Sequence, residues 1–126
     1  MGSAPRFTMT AAVLDARDPH ALGEFYRDLL GWPIGSDEPD WVTVRPPGGG
    51  MGLSIQLEED HVVPTWPAGP GDQQMQLHLD IEVDDLGAAS ARARELGATL
   101  AEFQPQKDVL VHLDPAGHPF CLWVGT

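Results

Sequence analysis

Polar and apolar side chains alternate without a break across residues 76–83. Gln76, His78, Asp80 and Glu82 occupy one set of positions, and Leu77, Leu79, Ile81 and Val83 the other. A period of two is that of a strand with one buried face. The apolar set is therefore expected to pack beneath helices, with the polar set on the opposite face. The same alternation sets Leu53, Ile55 and Leu57 against Ser54, Gln56 and Glu58, and Phe120, Leu122 and Val124 against Cys121 and Trp123. Residues 7–15 also predict a strand. There Met9, Ala11 and Val13 oppose Thr10, Ala12 and Leu14, and polarity does not choose the buried face.

Two segments change period. Leu22, Phe25, Tyr26, Leu29 and Leu30 recur at helical spacing, after Asp18-Pro19 and before Gly31. An aspartate cap, a proline in the first turn and a terminal glycine are the start and stop signals of a helix. Asp84-Asp85, then Leu86, Ala89, Ala93 and Leu96, then Gly97 repeat that plan, and Asp84 to Gly97 spans the same length as Asp18 to Gly31. Short strands are expected at about residues 32–36, 40–45 and 52–58 after the first helix, and at about 99–104, 109–114 and 119–125 after the second. Asp114-Pro115-Ala116-Gly117-His118-Pro119 separates two apolar runs and predicts a tight hairpin turn. Each half therefore reads β-α-β-β-β.

One domain is expected, with module one at about 7–59, a linker at 60–74 and module two at about 75–126. The fold class is α+β: two βαβββ modules forming a curved eight-stranded sheet around a cleft, with the helices outside. The linker is rich in proline and glycine and carries Trp66. That side chain is either a lid over a pocket or packed on its own module.

Composition narrows the possible partners. The 126 residues carry 19 acidic against 7 basic side chains, a formal charge of −12. This field repels phosphate backbones and no basic cluster appears, which argues against nucleic acid. No apolar run approaches the ~20 residues that span a bilayer, and the first residues lack the pattern of a secretion signal. A cytoplasmic location without membrane partners is expected. Cys121 is the one cysteine, which excludes an intrachain disulfide and a cysteine-based zinc cluster.

Several motifs together resemble the vicinal oxygen chelate superfamily, the glyoxalase, bleomycin-resistance and extradiol-dioxygenase group. They are Phe25-Tyr26 with Leu29-Leu30-Gly31, the strand from His78 to Asp85, the hairpin from Asp114 to Leu122, and the two-fold plan. The likeness covers about residues 7–125 and is nearest the small glyoxalase-like branch. It implies four inward positions that hold a metal ion in some members. Here these fall on Ala11, which has no donor, and on Gln56, His78 and Cys121. A carboxylate is missing from the set. Glu58, Asp80 and Glu82 lie two residues away along their strands, about 7 Å. The resemblance also implies a homodimer.

No catalytic metal or other cofactor is therefore expected, the alternative being a divalent ion on Gln56, His78 and Cys121. The expected ligand-binding residues are His78, Gln56, Asp80, Cys121, Trp123 and Trp41, with His78 as candidate base and an aromatic wall suited to flat organic molecules. Cys121 acts as a nucleophile only with a lowered pKa and a partner base. His112 is expected to face the cleft, His118 to close the hairpin turn, and His20 and His61 to lie on the surface. Two functions follow as expectations. One is a protein that binds a small organic molecule without metal; the other is a metal-dependent lyase, isomerase or dioxygenase.

Overall fold

The computed structural model describes residues 4–125. The first module runs β1 (Ala11–Ala16), α1 (Pro19–Leu30), β2 (Ile34–Glu38), β3 (Trp41–Val44) and β4 (Gly52–Leu57). The second runs β5 (Leu79–Val83), α2 (Leu86–Glu95), β6 (Thr99–Leu100), β7 (Val109–Leu113) and β8 (Pro119–Val124). The strands form two four-stranded sheets, ordered β1-β4-β3-β2 and β5-β8-β7-β6. In each, the first strand lies parallel to the last and the other pairings are antiparallel. This is the α+β class with two βαβββ modules, and it leaves β1 and β5 as sheet edges.

Local chemistry starts and stops the helices. The Asp18 carboxylate accepts from Ala21 N at 3.1 Å, Pro19 occupies the first turn, and Gly31 takes the left-handed φ of 71° that closes α1. In the second module the capping residue is Asp85, which accepts from Ala88 N at 3.0 Å. Aligning the two caps places Ala11 with His78, Val13 with Asp80 and Asp15 with Glu82. On the last strands it places Ser54 with Cys121 and Gln56 with Trp123.

One core serves both modules. Leu14, Ala16, Leu22, Phe25, Tyr26, Val42, Val44, Leu53 and Ile55 from the first join Ala93, Ala98, Phe120 and Leu122 from the second. The Phe25 and Phe120 rings lie 5.9 Å apart across the module boundary. On β1 the core face is Ala12, Leu14 and Ala16, leaving Ala11, Val13 and Asp15 on the other side.

The structure departs from the sequence expectation at several points. Residues 7–10 precede β1 instead of forming part of it, with Phe7 92% exposed. Leu77 precedes β5 and is 48% exposed instead of packed under a helix. β6 is only two residues long. His112 does not face the cleft. It pairs with Phe120 on the core face and is fully buried, stacked on that ring at 5.3 Å. Its Nδ1 donates to Leu110 O at 3.2 Å and its Nε2 accepts from Ser90 Oγ at 2.8 Å. Burial, the largest cause, holds this imidazole below its ordinary pKa. His118 has a wider role than turn closure: its Nε2 donates to Asp15 O in the first module at 2.7 Å.

Candidate functional site

The register of the second sheet assembles a cleft on its inner face. Asp80 lies opposite Cys121 and Glu82 opposite Trp123 on the β5–β8 ladder. On the other side of β8, Val111 lies opposite Cys121 and Val109 opposite Trp123. The alternation that sends Phe120 and Leu122 into the core thus sends Cys121 and Trp123 into the cleft. His78, one residue before β5, continues the inward-facing series. With Trp66, Pro105 and Gln106, the side chains of His78, Asp80, Cys121, Trp123 and the two valines line a cavity of about 370 Å³.

Trp66 forms one wall. Its ring stacks on His78, with centroids 4.9 Å apart and planes 25° apart, and meets Phe103 edge-on at 5.3 Å. The loop carrying it is pinned by a bridge between Thr65 and Gln74, with Thr65 N donating to Gln73 O at 2.8 Å. Of the two placements open to Trp66 on sequence, the structure gives a side chain over the cleft of the second module.

His78 Nε2 lies 3.1 Å from Asp80 Oδ1. The two-residue offset along the strand does not keep these side chains apart, because both point to one face and the imidazole spans the gap. Cys121 joins them: among the described residues, one atom each from His78, Asp80 and Cys121 lie within 4.8 Å of one another. The thiol is buried. Burial first, and the Asp80 charge second, push its pKa above the ordinary value. A thiol in that state is a poor nucleophile at neutral pH.

Two expected site residues stand elsewhere. Gln56 and Trp41 face each other across the β3–β4 ladder of the first sheet, and neither lines this cavity. The Gln56 amide donates to Asp15 Oδ1 at 2.6 Å. The structural counterpart of Cys121 in the first module is Ser54, not Gln56. Two of the four positions implied by the superfamily resemblance therefore contribute nothing to this cavity: Ala11 has no donor, and Gln56 stands on the first sheet outside the lining. The nitrogen, oxygen and sulfur donors that do converge come from the second module alone.

A second cavity of about 390 Å³ lies between β1 and residues 73–77, with Asp15, His61 and His118 in its lining. Both imidazoles there are committed to backbone carbonyls. His61 Nε2 donates to Ala116 O at 2.9 Å and His118 Nε2 to Asp15 O at 2.7 Å. His61 is thus partly buried against His118, with rings 4.9 Å apart, instead of free on the surface. Its chemistry is structural, and the second-module cleft is the better candidate site. Sequence reasoning missed Val109, Val111, Pro105 and Gln106. The two valines carry a signal in hindsight, since they alternate in step with Cys121 and Trp123.

The Glyoxalase-like domain family matches residues 11–123. No curated protein matches the sequence. Among solved structures, a glyoxalase/bleomycin resistance protein/dioxygenase family enzyme from Burkholderia phytofirmans PsJN superposes with a TM-score of 0.73 at 17% identity, covering 94% of this chain and 98% of that one. A glyoxalase/bleomycin resistance protein from Albidiferax ferrireducens T118 gives a TM-score of 0.65 at 18% identity, covering 94% and 98%. TnmS3, an antibiotic binding protein from a Streptomyces species, gives 0.60 at 21% identity, covering 98% and 100%. At these identities the likeness speaks for the fold. With the paired βαβββ modules and the match from the first strand to the last, the chain belongs to the glyoxalase-like domain family of the vicinal oxygen chelate superfamily.

Proposed function

We propose that this protein binds a small organic molecule in the second-module cleft, without a catalytic metal. The observation that carries the reading is the Trp66 ring stacked on His78 at the edge of a 370 Å³ cavity that Trp123 also lines. That volume is in the range of small-molecule sites, about 300–1,000 Å³, and aromatic walls with a few polar groups are their usual lining. His78 and Asp80 supply the polar contacts. Gln56 and Trp41 join the site only if the first sheet's inner face is brought against the ligand. That TnmS3 is an antibiotic binding protein agrees with a binding role for this fold.

The working state is a homodimer in the cytoplasm. Phe7 and Met9, 92% and 77% exposed, lead into the free edge of β1, where Val13 is also exposed. These apolar groups are suited to a protein contact. No described helix is long and apolar enough to cross a membrane. Light scattering coupled to size exclusion tests the dimer.

A thermal-shift screen of flat organic compounds tests the binding reading, since a ligand of the native state raises its apparent stability. Hits are expected to lose their shift in Trp66→Ala and Trp123→Ala proteins that remain folded. A screen without hits, or hits indifferent to both tryptophans, overturns it.

The His78, Asp80 and Cys121 cluster favours a second reading, a metal-dependent lyase, isomerase or dioxygenase. A nitrogen, oxygen and sulfur set suits Zn²⁺ better than Mg²⁺, and a bound ion would supply Lewis acidity. Titration of Zn²⁺, Ni²⁺ and Mn²⁺ distinguishes the readings: stoichiometric binding lost in His78→Ala supports the enzyme.

A further inference from the structure

Resting on the binding role proposed above, we infer that the cleft selects planar organic cations. Three observations converge. First, two indoles line the cavity, and an indole face attracts positive charge through its quadrupole. Second, among the described residues the Asp80 carboxylate is the acidic group in the lining, and no lysine or arginine lines the cavity. Its side chain is 64% exposed, so it stands at the mouth, where an entering ligand meets it. His78 is the one lining group able to carry positive charge, and it already sits against Asp80 at 3.1 Å. Third, the chain carries a formal charge of −12, which concentrates cations at its surface and repels anions.

The Asp80 charge is felt inside the cavity. It is the second cause, after burial, of the upward push on the Cys121 thiol. Cys121 therefore stays neutral and offers a ligand a small, polarisable surface. Val109 and Val111 complete an apolar floor. A flat aromatic cation satisfies every part of this lining: its ring lies along the indoles and valines, and its charge meets Asp80. A flat anion meets the same walls but is repelled at the mouth.

Three planar tricyclic probes of similar size test this by calorimetric titration: proflavine as the cation, acridone as the neutral ring and anthracene-2-carboxylate as the anion. Proflavine is expected to bind about tenfold tighter than acridone, the scale of a cation–aromatic contact reinforced by a carboxylate, and the anion more weakly than either. Asp80→Asn is expected to reduce the proflavine advantage over acridone to about twofold. Raising the salt concentration in the unmodified protein is expected to weaken proflavine and not acridone. Equal affinity for proflavine and acridone, or a preference that survives both Asp80→Asn and high salt, overturns the charge selection alone. Binding of acridone that depends on Trp66 keeps the binding role in that event. If none of the three probes binds, the charge selection falls, and the screen above decides the binding role separately.

Discussion

Tyr26, on the helix of the first module, donates a 2.6 Å hydrogen bond to the Asp114 carboxylate in the last turn of the second. Both residues are buried. Asp114 Oδ1 also accepts from Ala116 N and His118 N, each at 2.9 Å, so one carboxylate shapes the turn while its other oxygen ties the turn to α1. Burial is the largest influence on the Asp114 carboxyl and raises its pKa; His118 and the three donors pull it back. His118 Nε2 then reaches Asp15 O. The hairpin is thus fastened to the first module at two points.

Tyr26→Phe keeps the ring and removes the donor, leaving a buried carboxylate oxygen short of a partner. The expected cost is about 1–3 kcal/mol. Urea denaturation of the two proteins checks it; an unchanged midpoint would show that the contact adds nothing to the joining of the modules.

Gly23 sits in α1 where a Cβ would stand 2.5 Å from Val42 Cγ1. At an open helical site, glycine to alanine gains about 1 kcal/mol. Here overpacking is expected to reverse the sign, for a net loss of about 1–3 kcal/mol. Gly23→Ala combined with Val42→Ala relieves the clash, so the double variant is expected to lose less than the two single losses combined. Thermal or urea unfolding of the four proteins tests that non-additivity.

The buried His112 imidazole sets a pH dependence. Its folded pKa lies below the ordinary 6.5, so the unfolded chain takes up a proton first as pH falls. Its contribution to stability is full above about pH 6.5 and declines as the medium is acidified toward the folded value. His20 works the other way: its bond to Asp37 raises its pKa, so its contribution is present at low pH and lost as pH rises through that raised value. The difference between the unmodified protein and His112→Gln cancels the His20 effect. Urea midpoints between pH 7 and 5 are expected to fall less steeply in the variant.

The Cys121 thiol, pushed up by burial and by Asp80, is expected to resist alkylation at neutral pH. Iodoacetamide followed by mass spectrometry should show far slower modification in the native protein than in urea. Asp80→Asn removes the nearby negative charge and is expected to speed the native reaction modestly. Native labelling as fast as in urea would contradict the burial of this thiol.

The helices were legible because their signals are local. Asp18, Pro19 and Gly31 act within one turn of the chain, and of the expected Asp84-Asp85 pair it is Asp85 that caps α2. The inward placement of Asp80, Cys121 and Trp123 was legible for the same reason, since alternation along a strand is a property of the backbone. His112 misled because polarity suggested the cleft, whereas its register beside Phe120 places it in the core, where Ser90 and Leu110 O satisfy its nitrogens.

The sequence by itself determined the repeat, the faces of β5 and β8 and the place of His78, because each depends on neighbours a few residues away. Only the tertiary structure decided which face of β1 is buried, since Ala11, Ala12, Val13 and Leu14 carry no contrast until α1 covers one side. It alone brought Trp66 onto His78 and left Gln56 with Asp15 on the other sheet. Those pairings join residues far apart in the chain. They are set by how the loop folds back and how two sheets share one core, which periodicity along a single strand does not encode.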